Sequence, residues 1–347
     1  MSEASSKAFM DRIRPKITVF GWPSHLGGAD TKLAHLLELL HKDLEFTVVP
    51  NEKRHLDGPF WPTFLKNLGI RSCLFDQLPR RLEGFALALS NQCFFTHHIC
   101  HRAKDRGLKV AWSSEMMWHH EGELDAVRDG LIDRVLYTSR IQKDLLSPNY
   151  GKIPGFITGN YIDPVQFPFA ERLRAGFTIG RLSRPAPEKY PEDFPVFYEC
   201  LELPECRFRV MAWDEKLASK YRWHRFDHRW DLLAAETEDT AQFLNSLDLF
   251  VYPLGHFFTE SWGRSTVEAM LTGAIPLVPP GHHLDELIVH GKTGYICNDF
   301  REYQEWAKRL FFDYPTRQAM ARQCHDHAVN NLCNAEQHRH AWLEAFQ

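Results

Sequence analysis

The stretch LDLFVYPLGHFFTESWGRSTVEAMLTGAIPLVP, residues Leu247–Pro279, decides the fold class. Its first part, Leu247–Pro253, is an apolar run ended by a proline, which indicates a buried strand. A helix is predicted around Glu268–Leu271, and Gly273 is placed to end it because glycine readily adopts the left-handed conformation found after helices. Ile275–Pro279 has the apolar composition of a following strand. The order strand, loop, helix, strand predicts half of a doubly wound α/β sheet.

Two glutamates, Glu260 and Glu268, stand in the loop and in the helix of this predicted unit. Ligands of doubly wound sheets lie at the carboxyl ends of the strands, so the sequence places Glu260 at a binding crevice. Glu268 follows about two helical turns later, since a helix rises about 1.5 Å per residue. Carboxylates accept several hydrogen bonds each and suit the hydroxyl groups of a sugar or a ribose. Spacing alone fits two solvated surface glutamates better.

The surrounding segment, Glu260–Cys297, resembles the donor-binding segment of GT-B glycosyltransferases, specifically the retaining family four, also called glycosyl transferases group 1. The family pattern is a glutamate, an aromatic residue and a glycine, then Glu-Ala-Met, a small residue, Gly, Pro and Val, and later Glu, Gly and Gly. The residues that carry the match are Glu260, Trp262, Gly263, Glu268, Ala269, Met270, Gly273, Pro276, Val278, Glu286, Gly291 and Gly294.

The resemblance implies a GT-B fold, which is an α/β architecture of two Rossmann-like domains facing a central cleft, with a C-terminal helix that crosses back to the first domain. We expect residues 1–158 to form the acceptor-side domain and residues 159–330 the nucleotide-sugar donor domain. Residues 331–347 would form the returning helix. ITGNYIDPVQF, Ile157–Phe167, is similar to the family's segment at the domain boundary, with Tyr161 in place of the usual glycine.

Composition agrees with a two-domain globular protein. The chain has 347 residues, of which 44% are hydrophobic and 25% are charged, and one core rarely grows beyond about 250–300 residues. The net charge of −4 gives no electrostatic basis for binding nucleic acid. Eight scattered cysteines without a C-x-x-C pair indicate reduced thiols. Without a visible signal peptide or membrane-spanning run, we expect a cytoplasmic protein, with peripheral membrane contact left open.

The first strand–loop–helix unit is predicted at KITVF, Lys16–Phe20, followed by Gly27-Gly28 and a helix over Thr31–Leu40. Such a unit presents backbone N–H groups and a helix N-terminus to an anionic group. A glycine pair by itself more often marks a turn. In the resembling family the pair opens the cleft toward the donor phosphates and the acceptor, which implies a donor-binding role for Gly28.

FTIGRLSRPAPEKY, Phe177–Tyr190, is similar to the family's strand that ends in Gly-Arg-Leu and is followed by a lysine. The resemblance implies that Arg181 and Lys189 hold the donor pyrophosphate and stabilise the leaving group, with Arg184 as the alternative to Lys189. Fixed cations fit there because the leaving nucleoside diphosphate gains negative charge as the glycosidic bond breaks. Without the resemblance, cations on a proline-rich surface loop are the favoured interpretation.

The histidines give a weaker signal. The family often places a histidine at the end of a first-domain strand, within reach of the donor sugar. We predict that QCFFTHH ends in this way and assign the role to His98, with His97 and a core or capping role left open. Glu115 is predicted at the next strand end, and Leu82–Ser90 is predicted to be helical. No H-E-x-x-H or D-x-D signature occurs, so no metal site is predicted.

The resemblance also implies roles for the donor-side residues. Glu260 would contact the hydroxyls of the donor sugar, and Glu268 would hold the ribose hydroxyls. Backbone N–H groups around Trp262–Arg264 would assist at the sugar or phosphate. The expected donor is a nucleotide-diphosphate sugar, with a UDP-hexose favoured and no tightly bound cofactor. Val210 is not followed by the glycine-rich turn of the family, so this part of the nucleotide pocket departs from the pattern.

Two alternatives stay open on the sequence alone. One is another GT-B activity, such as a nucleotide-sugar epimerase. The other is a noncatalytic nucleotide-sugar-binding partner in a glycosylation complex, which the altered Lys189 region favours. The acceptor is unspecified and could be a glycan, a lipid, a small molecule or a polymer. Its specificity is expected in the first-domain loops Pro50–Phe64 and Ser113–Glu123.

Overall fold

The computed structural model describes residues 14–25 and 28–347. The chain divides into two compact units, one formed by residues up to Gly159 together with Ala335–Gln347, the other by Asn160–Asn334. Each unit contains a parallel sheet whose faces are covered by helices. The predicted α/β class with two Rossmann-like units is therefore confirmed.

The sheet of the first unit has seven parallel strands. They are β1 (Lys16–Phe20), β2 (Glu45–Val49), β3 (Arg71–Ser72), β4 (Phe85–Leu89), β5 (Lys109–Ser113), β6 (Arg134–Tyr137) and β7 (Gly155–Ile157). Their spatial order is β3-β2-β1-β4-β5-β6-β7. The central strands are apolar runs because helices cover both faces of such a sheet.

Helices of the first unit follow the strands and bury one face each. They are α1 (Gly28–Leu40), α2 (Trp61–Asn67), α3 (Cys93–Thr96), α4 (Ile99–Asp105), α5 (Glu123–Arg128) and α6 (Arg140–Leu146), with 3₁₀ turns at Lys53–Asp57, Phe75–Gln77 and Ser147–Tyr150. The start of α6 shows why a helix begins where it does. Ser139 precedes it in extended conformation, and its hydroxyl accepts the Gln142 N–H, which satisfies one free donor of the first turn.

The C-terminal helix, Ala335–Ala345, completes the first unit. Trp342 and Phe346 are buried, and the Phe346 ring lies 5.2 Å from the ring of Phe85 in β4. The Arg134 guanidinium of β6 donates to the carbonyl of Ala345. The end of the chain is thus held against the first sheet by both apolar packing and a charged hydrogen bond.

The sheet of the second unit has six parallel strands. They are β8 (Thr178–Leu182), β9 (Arg207–Met211), β10 (Trp230–Leu233), β11 (Leu249–Val251), β12 (Ile275–Val278) and β13 (Tyr295–Ile296), in the spatial order β10-β9-β8-β11-β12-β13. The helical segments are α7 (Phe194–Glu199), α8 (Glu215–Lys220), α9 (Thr240–Asn245), α10 (Arg264–Thr272), α11 (Leu284–Leu287), α12 (Phe300–Phe312) and α13 (Tyr314–His327), with 3₁₀ turns at Pro164–Gln166 and Pro187–Lys189 and a π-helical turn at Ala328–Leu332.

Both sheets reverse their winding direction beside their first strand. In the first unit β1 lies between β2 and β4, and in the second unit β8 lies between β9 and β11. Connections on the two sides of such a point run over opposite faces, which opens a crevice at the carboxyl ends of the strands. Functional side chains are therefore expected just after β1 and β4, and just after β8 and β11.

The predicted helix over Leu82–Ser90 is wrong. The structure has strand β4 there, and all five of its residues are buried. The segment that was predicted to end a strand, QCFFTHH, instead forms the short helix α3. A short apolar run fits a fully buried parallel strand and a buried helix equally well, so periodicity alone assigned both segments to the wrong class.

No helix within residues 14–25 and 28–347 combines the length and apolar character needed to cross a bilayer. Residues 1–13, where a signal peptide would begin, lie outside the described residues.

The turn after β9 explains how the chain manages without the glycine of the family pattern. Ala212 takes the left-handed conformation, with φ of 68°, and is buried. That conformation costs an L-residue about 1–2 kcal/mol. The backbone of a glycine-rich turn is thus formed here at a cost in stability.

We predict that Ala212→Gly leaves the free energy of unfolding unchanged or raises it by up to about 1 kcal/mol, because glycine removes the backbone strain but adds unfolded-state entropy. The control is Ala218→Gly in α8, an exposed helix position, which should lower the free energy of unfolding by about 1 kcal/mol. Chemical denaturation of both variants measures the difference. Equal destabilisation by the two substitutions would contradict the prediction.

Candidate functional site

The crevice of the second unit brings two charged side chains together. Lys189 ends the 3₁₀ turn after β8, and Glu260 lies in the loop after β11. The Lys189 Nζ lies 3.1 Å from Glu260 Oε2, and the Tyr252 hydroxyl donates to the same oxygen at 3.0 Å. Each charged side chain is 11% exposed, so the pair stands at the edge of the core and still reaches solvent.

Glu260 is held as a carboxylate. Burial raises its pKa, but the charge of Lys189 and the hydrogen bonds from Lys189 and Tyr252 outweigh this effect, so the pKa is lowered overall. Within the described part of the chain, both hydrogen bonds to the carboxylate end on Oε2. The second oxygen, Oε1, is left to accept a hydroxyl from a ligand.

The main chain of Glu260 is fixed by a histidine that the sequence reading did not single out. The Glu260 N–H donates to His282 Nδ1 at 3.2 Å. Burial lowers the pKa of His282, in spite of the nearby charges of Glu260 and Asp285. A neutral imidazole that accepts at Nδ1 carries its proton at Nε2, so His282 acts as a fixed acceptor beneath the loop.

Arg181 lies beneath the site and not in it. Its guanidinium is fully buried, stacks on Tyr190 at 3.8 Å and on Tyr252 at 4.5 Å, and donates to the carbonyls of Pro253 at 2.8 Å and Lys189 at 3.3 Å. The guanidinium presents no surface to a ligand in this arrangement, so the pyrophosphate contact of Arg181 stays a prediction that its burial does not favour. Arg181 instead positions the backbone that carries Lys189.

The glycine before this arginine has a steric reason. A Cβ on Gly180 would lie 2.2 Å from the carbonyl oxygen of Arg209 in β9 and 2.8 Å from Leu247. Glycine lets β8 approach its neighbours closely and seats Arg181 in the core. Arg184, two residues beyond the end of β8, is exposed and supplies a cation with an open face.

Glu268 occupies the helix that follows the loop. Its Oε1 lies 2.8 Å from Nε of Arg264, one turn earlier in α10. Arg264 also donates to Asn160 Oδ1 at 2.8 Å and to the Tyr161 carbonyl at 3.3 Å. Burial raises the pKa of Glu268, and the nearby Arg264 charge only partly offsets this effect. The guanidinium shares its charge among three acceptors, which limits its support for the carboxylate.

The loop meets α10 at a tightly packed glycine. Gly263 has φ of 87°, and a Cβ there would lie 2.4 Å from Cδ2 of Leu284. Trp262 is buried and stacks near His283, with ring centroids 6.2 Å apart. Its side chain therefore anchors the loop, while the first turn of α10 presents backbone N–H groups, beginning at Arg264, that a helix leaves without internal partners.

The two residues predicted to act in the first unit, Gly28 and His98, have different outcomes in the structure. Gly28 is the first residue of α1, is exposed and would leave open space around a Cβ, while its predicted companion Gly27 lies outside the described residues. The argument for His98 is wrong, because His98 follows the short helix α3 and not a strand. It has φ of 54° and is exposed, as is His97.

The end of β5 carries polar residues that are held in pairs. Glu115 Oε1 lies 2.7 Å from Nζ of Lys32 in α1 and accepts the Ser113 hydroxyl at 2.9 Å. The hydroxyl of Ser90, after β4, accepts the Glu115 N–H at 2.8 Å, and His120 Nε2 lies 3.3 Å from the same hydroxyl. Burial lowers the pKa of His120. Here an imidazole does reach the carboxyl edge of the first sheet, and no motif in the sequence had marked it.

Across residues 14–25 and 28–347, no three His, Cys, Asp or Glu side chains converge in a way that could hold a metal ion. In the second-unit site, Lys189 compensates the carboxylate charge of Glu260, and Arg264 compensates that of Glu268.

Residues 232–323 match the family model described as glycosyl transferases group 1. The match runs from β10 into α13 and contains Glu260 and Glu268. None of the curated protein sequences compared with the chain matches it.

Solved structures resemble nearly the whole chain. HepE from Anabaena, in complex with UDP and glucose, matches 95% of this chain and 99% of its own, with a TM-score of 0.72 and 15% identity. The chain has the GT-B fold. Sucrose-phosphate synthase from Thermosynechococcus elongatus matches over 95% and 98% of the two chains with a TM-score of 0.71 and 11% identity. A glycosyltransferase from Rickettsia africae ESF-5 matches over 96% and 98%, with a TM-score of 0.72 and 10% identity.

Two residues of the second-unit site, Tyr252 and His282, were missed by sequence reasoning. Tyr252 directly follows β11, where a switch-point ligand group is expected, but an apolar run that includes a tyrosine reads as core. His282 belongs to a His-His pair, which offered no reason to prefer one ring. The available signal was a tyrosine directly before the proline that ends the predicted strand, one residue past the observed end of β11.

The opposite pKa shifts of the two glutamates predict opposite pH dependences of stability. The pKa of Glu260 is lowered from the usual 4.5, so its ionisation stabilises the fold above pH 4.5 and this contribution is lost as the pH falls. The pKa of Glu268 is raised from 4.5, so its ionisation destabilises the fold as the pH rises above that value. The destabilisation caused by Glu260→Gln should shrink between pH 7 and pH 4, whereas that caused by Glu268→Gln should grow.

Denaturant titrations of the wild-type protein and both variants at several pH values measure these differences. The exposed Glu305→Gln in α12 is the control and should show no such trend. Parallel pH profiles for the Glu260 and Glu268 variants would refute the electrostatic description of the site.

Proposed function

We propose that the chain is a retaining glycosyltransferase of family four that transfers a hexose from a nucleotide-diphosphate sugar, with UDP as the carrier, to an acceptor hydroxyl. The observation that carries the proposal is the network of Lys189, Glu260 and Tyr252 at the carboxyl ends of β8 and β11. It lies at the switch point of the sheet and partly within the segment matched by the family model.

The donor sugar and diphosphate are assigned to the two sides of this network. Glu260 Oε1 accepts a sugar hydroxyl, because Oε2 is already used by Lys189 and Tyr252. Lys189 and the exposed Arg184 face the negative charge of the diphosphate. A partly desolvated cation stabilises charge more strongly than one in bulk water, which favours the leaving group.

The nucleoside is assigned to α10. Glu268 accepts the ribose hydroxyls, and the N–H groups at the start of the helix face a phosphate oxygen. Arg264 is paired with Glu268 and is also tied to Asn160 and Tyr161. Burial raises the pKa of Glu268 in spite of Arg264, so hydrogen bonds from ribose hydroxyls would stabilise its charged form.

Retention requires the acceptor to attack the face from which the diphosphate leaves. The bond from the anomeric carbon to the phosphate oxygen breaks, and the acceptor oxygen bonds to the same carbon. The acceptor proton passes to the leaving phosphate oxygen. Lys189, Arg184 and the start of α10 provide the positive charge for this step, so the proposed reaction is independent of metal ions.

Two similar solved structures support UDP as the carrier. HepE from Anabaena was crystallised with UDP and glucose and with UDP-glucose. We assign the donor to the second unit and the acceptor to the first, and place the enzyme in the cytoplasm. The proposal leaves the acceptor to be found by experiment.

We predict that UDP at about 100 times its Kd stabilises the protein by about 2.7 kcal/mol, a rise in Tm of roughly 5–10 °C for a domain of this size. Glu268→Gln should abolish most of the shift, and Glu305→Gln should preserve it. Thermal unfolding against UDP, GDP, dTDP, ADP and CMP measures the effect. If no nucleotide shifts the Tm, the donor site is assigned wrongly.

We further predict slow release of free sugar from a UDP-hexose in the absence of acceptor, with the configuration of the donor in the first-formed product. Lys189→Ala should reduce this rate about 100- to 1,000-fold, the usual effect of removing one charge-stabilising group. Lys308→Ala, a surface lysine paired with Glu202, is the control. NMR of UDP-glucose, UDP-galactose and UDP-N-acetylglucosamine reactions gives both rate and configuration.

UDP binding without turnover of any of the three sugars would favour the noncatalytic partner over the enzyme. Release of the opposite configuration would exclude retention and leave the site assignments intact.

A further inference from the structure

An aromatic surface lies at the carboxyl edge of the first sheet. The loop after β1 supplies Trp22 and His25, the turn after β2 supplies His55, and the segment that follows supplies Phe60, Trp61 and Phe64. These six residues, called here the aromatic surface, form two sets of ring contacts: Trp22 with His55, and His25 with Phe60, Trp61 and Phe64. The His25 and Trp61 rings are 4.7 Å apart, Phe60 and Trp61 are 4.9 Å apart, and Trp22 stacks on His55 at 5.8 Å.

The exposed rings of this surface add little to the packing of the first unit. Phe60 is 54% exposed, and Leu65 is the one residue of helix α2 that is buried. Single exposed apolar residues are common, but a contiguous group of aromatic rings at a ligand-binding edge marks an interaction site. Pro59 and Pro62 flank Phe60 and Trp61 and restrict their backbone, so the surface is ordered before any ligand arrives.

The charges around the aromatic surface are balanced. The segment Asn51–Phe64 carries two acidic residues, Glu52 and Asp57, and two basic residues, Lys53 and Arg54. Arg54 lies 2.6 Å from Glu52 and is neutralised locally. An anionic lipid surface attracts an excess of basic residues, which this segment lacks. The charge balance favours a neutral occupant.

Hydrogen-bonding amides follow strands β2 and β4 at the same edge of the sheet. Asn51, after β2, and Asn91, after β4, exchange hydrogen bonds at 2.9 and 3.2 Å, and Asn91 also donates to the Phe20 carbonyl at 3.0 Å. A carboxamide offers two donors and an acceptor with two lone pairs, so each retains capacity for a ligand hydroxyl. Apolar ring faces and amides with remaining hydrogen-bonding capacity, at one edge of the sheet, fit a molecule with one apolar face and many hydroxyls at its rim.

We propose that the aromatic surface binds a neutral saccharide, with the C–H face of a pyranose stacked on the exposed ring of Phe60, against which the Trp61 ring stands edge-on. The electron-rich face of an aromatic ring attracts the weakly positive C–H groups of a sugar. The inference rests on the proposed glycosyltransferase function and names the class of its acceptor: a carbohydrate chain, as opposed to a lipid or a protein.

The test uses the full chain and three neutral probes, maltotriose, cellotriose and chitotriose. Isothermal titration and saturation-transfer NMR should detect at least one of them, with contacts to aromatic protons. Phe60→Ala should weaken that affinity at least fivefold, and Phe60→Tyr should restore it. Phe60 is half exposed, so its loss should leave the Tm nearly unchanged. Phe312→Ala, an exposed phenylalanine of α12, is the matched control and should bind the probe like the wild-type protein.

Four results would overturn the inference: no binding across the three saccharides, equal affinity in Phe60→Ala, full loss of affinity in Phe312→Ala, or Phe60-dependent sedimentation with vesicles of phosphatidylcholine and phosphatidylglycerol. UDP binding by the same samples separates this inference from the donor assignment. Saccharide binding without UDP binding would contradict the proposed donor site alone. UDP binding without saccharide binding would contradict only the saccharide assignment of the aromatic surface.

Discussion

The second-unit site depends on one buried cation. The side chain of Arg181, in β8, lies in the core. Its guanidinium is stacked between aromatic rings and donates to two backbone carbonyls, one after β8 and one after β11. Removing a charge from water is costly, and here the aromatic faces and carbonyl dipoles compensate for it. Because the guanidinium joins the ends of two neighbouring strands, Lys189 and Glu260 are held at ion-pair distance. Replacing Arg181 by an apolar residue would remove the donor to the Pro253 carbonyl and leave the Lys189 carbonyl with only the Gly255 N–H.

The fold was readable from local sequence because each unit repeats one simple pattern. The runs around Leu249–Val251 and Ile275–Val278 are apolar on both faces, and Gly273 ends the helix between them with φ of 86°. Those features are local. The strand Phe85–Leu89 failed the same reasoning because five apolar residues carry no period that separates strand from helix. This segment is a strand because it lies between β1 and β5 in the sheet, and these neighbours are distant from it in the sequence.

The candidate site was less readable, for a related reason. Sequence matching brought Glu260, Glu268 and Lys189 to attention, but the burial of Arg181 follows from Tyr190 and Tyr252, whose rings close around it only in the folded chain. In the first unit, His120 comes to the sheet edge through a loop that no motif describes. A sequence pattern can identify which residue type stands at a position, whereas the exposure of that side chain depends on how the whole chain packs.

The two glutamates illustrate what such packing does to chemistry. Glu260 has a lysine and a tyrosine on one oxygen, which lowers its pKa, while Glu268 relies on an arginine that also serves Asn160 and Tyr161, so burial raises its pKa. A carboxylate already stabilised by fixed partners can orient a hydroxyl without moving. A carboxylate whose negative charge is only partly compensated is stabilised more by a new hydrogen-bond donor. The two carboxylates of the site are therefore compensated unequally: fixed partners hold Glu260, whereas Glu268 has a charge that a further hydrogen-bond donor would stabilise.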